Sequence, residues 1–507
     1  MGLSARTENK EKTVNRQPLP GFESLIRRYP ARLWTALKAV SEQRGIPLFL
    51  VGGPVRDFFL GREPVDIDLT VIHGATACAR LLIKELGEGT FVPLGCRQED
   101  AARVVWRGLG IDFSSFRQGA LTLEEDLERR DYTINSMGVD LSPQFVGDDR
   151  FVLIDPLNGL DDLHQGIIRS CPSAFRDDPL RLLRGYRLAT SLDMRLDPVT
   201  REEIIKHASL LQTVSVERIS HELDRIMETG NSCREVGQMA ETAILFQIFP
   251  ELRQGVGLEQ PGFHHLDVFH HSLEALCQVE RIIRHPEDFY PGHGRRIQEY
   301  VGKDGMKRLL KWAALFHDLG KPPTMAVNHA KGGRVTFYGH DQVGSEIFRA
   351  IGGRLKWRNR EIKLVSRLIK AHMHPFHLCN VRRTRKLSRK AIVKLCKRAG
   401  EDLTGLFILA MADSLAGKGE MKPDGMEQEL AALFTAVTGV YHERIRPVMT
   451  GARLITGHDL IKIFHLQSGA HFSTILDRLE MARIEGQVTT REEALDWVGV
   501  YLREDHS

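Results

Sequence analysis

The sequence predicts an α+β chain, with a small mixed-sheet head near the N-terminus followed by an all-α neck, body, histidine-rich domain and tail. Three observations predict it. Alternating apolar segments of strand type run from LFLV at Leu48 up to about Leu141. From Ala174 onward strand signals nearly vanish, and amphipathic segments such as Pro179 to Thr190 and Val216 to Met227 replace them. The chain has 507 residues, more than one ordinary core, so roughly two to four domains are expected.

Taken in order, residues 1–21 are polar and charged and read as a flexible tail. A head is expected over 22–150, a helical neck and body over 151–262, a histidine-rich domain over 263–425 and a helical region over 426–507. The Gly-, Pro- and His-rich stretch Gly255 to His265 supports the third boundary. A composition of 42% hydrophobic and 27% charged residues is that of a soluble globular protein. No long apolar run predicts a membrane span, and Met1 to Leu19 lacks a signal-peptide core, so a cytoplasmic protein is expected. The seven cysteines form no CxxC pair and are expected to be reduced.

The stretch LFLVGGPVRDFFLGREPVDIDLTV holds the first candidate site. Gly52-Gly53 allows close approach of a phosphate at the start of a helix. Asp66 and Asp68 lie two apart on a strand and so point to one side, where they can share a cation. Asp112, on the alternating segment GIDFSSFR, is the candidate third carboxylate. Further on, LEEDLERRDYTINSM sets Arg129, Arg130 and Asp131 in a row with Asn135 one turn later. Arginines suit triphosphate oxygens, and Asp or Asn can read ribose hydroxyls; a surface helix with ion pairs is the alternative.

Asp155 and Gly159 in LIDPLNGLDD read as a turn bridging the head to the helices. In FRDDPLRLLRGYRLAT, Asp178 and Arg181 stand three apart, with Arg184 and Arg187 continuing that face. A carboxylate beside a guanidinium offers an acceptor and a donor to a base edge, although Asp178 could equally cap the helix. The histidines cluster later, in LDVFHHSL, LFHDLGKP, YGHD and KAHMHP, followed by MADSLAG. Imidazoles beside a carboxylate, as in His317-Asp318, suit a transition metal better than Mg²⁺ alone. From Arg354 to Arg398 sixteen Lys and Arg face the single acid Glu361, a candidate phosphate-backbone surface whose plain alternative is a set of solvated helix faces.

The order GGxVRD, DxD, RRDxTxN, DPxxG, an acidic pair followed by xxR, and SVERISHEL closely resembles the bacterial class II tRNA nucleotidyltransferases, which include CCA-adding enzymes and share the family with bacterial poly(A) polymerases. The resemblance covers roughly Leu48 to Met227. It implies Mg²⁺ on Asp66 and Asp68 with Asp112 as third carboxylate, and triphosphate contacts from Gly52, Gly53 and Arg56. It implies phosphate and ribose contacts from Arg129, Arg130, Asp131 and Asn135, and selection of CTP or ATP by Asp178 and Arg181. Glu217 and Arg218 would support that helix turn, and tRNA would be the acceptor. Two departures stand out. Asp177 replaces the family's Glu, and the passage from DFSSFRQG to LTLEEDL is short where many CCA-adding relatives carry a loop that assists terminal A addition.

The histidine set resembles the HD phosphohydrolases. This implies one metal on His271, His317, Asp318 and Asp413, and a second on His340 and His372, with His270 and His374 as alternatives and Lys321 near a phosphate. The expected function is nucleotide addition of CCA, or part of it, to tRNA from CTP and ATP, with phosphohydrolysis by the second site. Alternatives are a CC-adding enzyme, a poly(A) polymerase, and, from another class, an HD phosphohydrolase whose head only binds RNA.

Overall fold

The computed structural model describes residues 15–94, 100–260, 262, 264–329 and 333–504. Two compact units divide the chain, one formed by Met1–Thr229 with Gln238–Ile248, the other by Gly230–Gly237 with Phe249–Ser507.

The first unit is built on one eight-stranded sheet: β1 (Asn15–Pro18), β2 (Phe49–Val51), β3 (Asp66–Val71), β4 (Thr90–Leu94), β5 (Ala101–Trp106), β6 (Leu109–Ser115), β7 (Gly138–Asp140) and β8 (Val152–Asp155). Their order is β1-β8-β7-β2-β3-β6-β5-β4. Only β3 and β6 run parallel, placing Asp68 opposite Asp112; the other pairs are antiparallel. The alternation of the sequence is realised literally in β3, where Ile67 and Leu69 are buried while Asp66 and Asp68 stay partly open on the other face.

Two boundaries differ from expectation. Asn15–Pro18, read as tail, pairs with β8, and the sheet extends past residue 150 because β8 lies after the loop 147–151. Residues 1–14 of the expected tail lie outside the described residues. A polar edge strand such as β1 carries no hydrophobic alternation to announce it, since one face and one edge meet water. After the sheet come helices Arg181–Leu192, Pro198–His207 and Val216–Glu228.

Among the described residues, the second unit is helical apart from the hairpin Ala326–Asn328 with Arg334–Thr336. At its centre lies Leu403–Ala416, LTGLFILAMADSLA, buried along nearly its whole length, as a helix apolar on all sides must be. Val268–Arg284, Met306–Phe316 and Asn359–Ala371 pack around it. A smaller core of Leu460, Ile475, Leu479, Ala494 and Val498 joins the last three helices. No described helix is long and apolar enough to cross a membrane.

The expectation of reduced cysteines is corrected at one pair. Cys233 and Cys277, on helices Ser232–Glu241 and Val268–Arg284, are joined with Cα atoms 5.2 Å apart. A separation of 44 residues leaves no local spacing signal for such a pair. Cys78, Cys171, Cys379 and Cys396 are free and buried.

Candidate functional site

In the head, Gly52 takes φ +71° at the end of β2, a conformation that favours glycine. A Cβ there would stand 3.6 Å from Asp68 Oδ2, and one on Gly53 would stand 3.4 Å from the same atom. The pair of glycines thus leaves backbone directly beside the Asp68 carboxylate, at the N-terminus of Gly53–Phe59. Asp66 and Asp112 share one guanidinium. Arg103 reaches Asp112 Oδ1 through Nε at 2.6 Å and Asp66 Oδ2 through Nη2 at 3.3 Å. Burial, with Asp112 and Asp66 adding repulsion, pushes the Asp68 carboxyl up to about 6 against the pull of Arg130. Three hard oxygen donors on neighbouring strands, one of them penalised for its charge, fit a divalent cation.

The segment after β6 is a short turn, Arg117–Gly119, held by Arg129, whose Nη1 donates to the carbonyls of Arg117 and Gln118 at 2.7 and 2.6 Å. Arg129 therefore faces this turn, while Arg130 donates to buried Asp126 at 3.1 Å. Arg56 Nη1 donates to Asn135 Oδ1 at 2.7 Å, and Asn135 Nδ2 donates to Asp131 Oδ1 at 3.2 Å. Asp131 accepts Nε and Nη2 of Arg184 at 3.0 and 2.7 Å. Although burial opposes ionisation, Arg184 and Arg181 hold this carboxyl well below the usual range. A continuous chain, Arg56–Asn135–Asp131–Arg184, thus joins the glycine turn to the helix Arg181–Leu192.

Asp178 stands before that helix in extended conformation and accepts Nη2 of Arg218 at 2.8 Å, as well as the Leu180 backbone N–H at 3.1 Å. Arg218 therefore meets Asp178, whereas the helix itself, with Leu180 as N-cap, carries no side-chain cap bond. Arg181 Nη1 donates to the Arg130 carbonyl at 3.0 Å. Arg187 pairs with Glu222 at 2.7 Å, within electrostatic reach of the Asp131–Arg184 pair. Asp177 is exposed.

In the second unit, His271, His317, Asp318, His340, His372 and Asp413 come from five separate helices or helix ends and meet in one buried cluster. His271 Nε2 lies 3.0 Å from Asp413 Oδ1, and His317 Nε2 lies 3.2 Å from Asp318 Oδ2. His340 Nε2 is 3.2 Å from His372 Nε2 and 3.5 Å from Asp318 Oδ1. Donor atoms of His271, His317 and Asp413 lie within 4.8 Å of one another, as do those of His317, Asp318 and His372. Gly320, in HDLG, brings the helix His340–Arg354 in: a Cβ at Gly320 would stand 2.0 Å from the His340 carbonyl oxygen.

Electrostatics bind this cluster tightly. Burial opposes charge on His317, yet Asp318 outweighs it and holds the imidazole up at about 10. Burial, with His340 and His317 adding to it, pushes His372 down to about 3. Asp413 is held well below the carboxylate range by His271 and His317 despite its burial. His317 Nε2 and Asp318 Oδ1 are buried without a hydrogen-bond partner, which is costly in a protein interior. Two orphaned donors facing a mixed nitrogen and oxygen set fit a transition-metal centre. His270 instead bonds Asp267 at 2.8 Å, and His374 lies 3.5 Å from Arg398, so the structure leaves both outside the cluster. Lys321 joins it, with Nζ 2.6 Å from Asp318 Oδ2. A cavity of about 570 Å³ opens from Asp318, His340 and Asp413.

Three residues at these sites carry no role predicted from the sequence. Arg103 reaches the aspartates through the β5–β6 register, and strand pairing is invisible in a linear pattern. Gln260 accepts Lys321 Nζ at 2.6 Å. His264, in the Gly- and Pro-rich boundary, lies against His271; burial lowers it to about 2. The histidine after a helix-breaking stretch was the available signal for His264.

Family models match three stretches: the poly A polymerase head domain over residues 48–169, the probable RNA and SrmB-binding site of polymerase A over 193–255, and the HD domain over 268–417. The A-adding tRNA nucleotidyltransferase of Deinococcus radiodurans is 31% identical, covering 90% of this chain and 95% of its own. The CC-adding tRNA nucleotidyltransferase of Thermus thermophilus is 31% identical over 88% of this chain and 92% of its own. In fold, the Thermotoga maritima CCA-adding enzyme, solved with tRNA, matches with a TM-score of 0.61 at 21% identity, covering 96% of this chain and 99% of that one. With the three-carboxylate head and the histidine cluster in place, the chain belongs to the tRNA nucleotidyltransferase and poly(A) polymerase family and carries an HD domain.

Proposed function

We propose that this enzyme adds nucleotides of the terminal CCA to the 3′ end of tRNA, taking CTP or ATP at the head, and that its HD domain is a phosphohydrolase. The observation that carries the first part is the register of Asp68 with Asp112 on the parallel strands β3 and β6, beside Asp66 and the Gly52-Gly53 turn. Asp66, Asp68 and Asp112 would hold Mg²⁺, which supplies a lowered pKa at the attacking 3′-hydroxyl and neutralises the pyrophosphate leaving group. Gly52, Gly53 and Arg56 cradle the triphosphate through backbone and guanidinium donors. Arg130, Asp131 and Asn135 form the rigid wall against which the nucleotide lies. At the base edge Asp178 accepts and Arg181 donates, with Arg218 setting the angle of the carboxylate.

We place the head up to about the Asp155 turn, a neck and body to residue 262, the HD domain over 263–425 and a helical region over 426–507. The exposed cations Arg382, Arg385, Lys386, Arg389 and Lys390 of that HD region are candidate phosphate-backbone contacts. In the HD domain, His271, His317, Asp318 and Asp413 hold one transition metal and His340 with His372 a second, and Lys321 orients a phosphate in the cavity.

The short, pinned turn Arg117–Gly119 favours a second reading in which only part of CCA is added. Incubating the enzyme with tRNAs lacking three, two or one terminal nucleotides and each labelled nucleotide, then sequencing the products, tests both. Stepwise C, C and A supports complete addition, a product stopping after C or requiring prior C supports partial addition, and no templated-like choice of C or A overturns the proposal.

A further inference from the structure

Four imidazoles converge through Nε2 on the carboxylates of the HD cluster: His271, His317, His340 and His372. A neutral imidazole that offers Nε2 to a cation carries its proton on Nδ1, and that proton requires an acceptor. In three of the four the acceptor is the backbone carbonyl three residues earlier. His317 Nδ1 donates to Ala314 at 2.7 Å, His340 Nδ1 to Phe337 at 2.8 Å and His372 Nδ1 to Ile369 at 2.6 Å.

His271, in the first turns of Val268–Arg284, has a different neighbour. The Asp267 carbonyl accepts the His271 backbone N–H at 2.9 Å, and the Val268 carbonyl accepts Ser272 Oγ at 2.9 Å. Its Nδ1 lies instead 3.2 Å from Nδ1 of His264, the two rings edge to face with centroids 4.2 Å apart.

We infer that His264 is a positioning residue of the HD metal centre: its Nδ1 accepts the Nδ1–H of His271 and so fixes the tautomer that presents Nε2 to the ion. The inference rests on the metal-centre reading of the HD cluster. His264 is not itself a ligand of that ion, because it meets His271 on the side of the ring opposite the Nε2 that faces Asp413. Accepting at Nδ1 obliges His264 to carry its own proton on Nε2, at the wall of the 570 Å³ cavity that it lines with Gln260 and Lys321. The segment carrying His264 is tied in place by its neighbours, with Gln260 Nε2 donating to the Leu266 carbonyl at 3.3 Å and Gly257 N–H donating to Asp267 Oδ2 at 2.7 Å. The residues just before the helix therefore supply from a loop the acceptor that backbone carbonyls supply elsewhere.

Titration of the full-length, metal-stripped chain with Co²⁺, followed by its visible absorption, tests this. His264→Phe fills the same space without an acceptor and should weaken the imidazole-ligated Co²⁺ by about 10–100-fold. His264→Asn places a carbonyl oxygen near the position of Nδ1 and should return the affinity to within about threefold of wild type. Circular dichroism of the metal-free variants establishes that each is folded, and His264→Ala repeats the loss without a bulky ring. Wild-type affinity in folded His264→Phe, or His264→Asn binding as weakly as His264→Phe, overturns the positioning role. A wild-type chain that shows no Co²⁺ band removed by His317→Ala overturns the metal-centre reading itself.

Discussion

The head and the HD domain both gather groups that could hold a cation, but by opposite means. In the head the three aspartates are partly open, with side-chain exposures of 39% for Asp66 and 25% for Asp112, and they lie on strands in one sheet. In the HD domain every donor is buried, and the six come from five different helices or helix ends. Repulsion among the head carboxylates is relieved in part by Arg103, a side chain 37% exposed that bonds both Asp112 and Asp66. In the HD cluster the corresponding side chain, Lys321, is itself buried and bonded to both Asp318 and Gln260. An open, oxygen-only site suits an ion that arrives and leaves with a triphosphate. A buried site with orphaned nitrogen and oxygen donors suits an ion that stays. Solvent access, more than ligand number, distinguishes the two.

The largest effect expected from this contrast is in the head. Asp66→Ala with Asp68→Ala should lower labelled CMP or AMP incorporation by at least about a thousandfold, the equivalent of about 4 kcal/mol of transition-state stabilisation. Tightly bound metal, measured by mass spectrometry on the purified chain, should be unchanged. Loss of both would mean that the sites are not separate.

The reverse experiment is expected to give the next largest change. His317→Ala with Asp318→Ala should remove the resident metal and about a hundredfold or more of phosphomonoester hydrolysis, leaving incorporation within about twofold. Incorporation falling in parallel would break the contrast between an exchanging and a resident ion.

A smaller effect sharpens the electrostatic half of the contrast. Asp68 is raised in the fold, from 3.8 to about 6, so the folded state holds its proton more tightly than the unfolded chain and ionisation costs stability. That cost is absent below the unfolded value and grows as pH rises to about 6. Without divalent ions, the thermal stability gained by Asp68→Asn over wild type should therefore increase from about pH 4 to about pH 6 and level off above it. Saturating Mg²⁺ should cancel the gain at pH 8. A gain independent of pH would show that Asp68 is not the strained member of the three.

Much of both sites was legible because their chemistry is written in short spacings. Asp66 and Asp68 share a face through the two-residue period of a strand, and Gly52-Gly53 marks the backbone approach beside them. His317-Asp318 sets an imidazole beside a carboxylate, the pairing that suits a transition metal. Arg103 was not legible, since it meets Asp112 only through antiparallel register. Nor was the direction of Arg129, whose guanidinium is claimed by the carbonyls of Arg117 and Gln118. Asp178 was read both as base reader and as helix cap; the helix's N-cap is Leu180 without a side-chain cap bond, and the two Asp178 oxygens accept the Leu180 N–H and Arg218 instead. The strand Asn15–Pro18 was read as tail because an edge strand needs no apolar face, and the Cys233–Cys277 pair left no trace at a separation of 44 residues.

By itself, then, the sequence determined the fold class, the carboxylates and histidines available for chemistry, and the order in which the motifs occur, because each depends on local periodicity and on the identity of a few side chains. Only the tertiary structure decided which of them meet. Register set Asp68 against Asp112 and Arg103 between Asp112 and Asp66, and packing of five helical elements turned scattered histidines into one cluster with His264 behind it. Contacts between distant residues follow from the burial of whole faces, and the energy of such burial is not stored in any short stretch of chain.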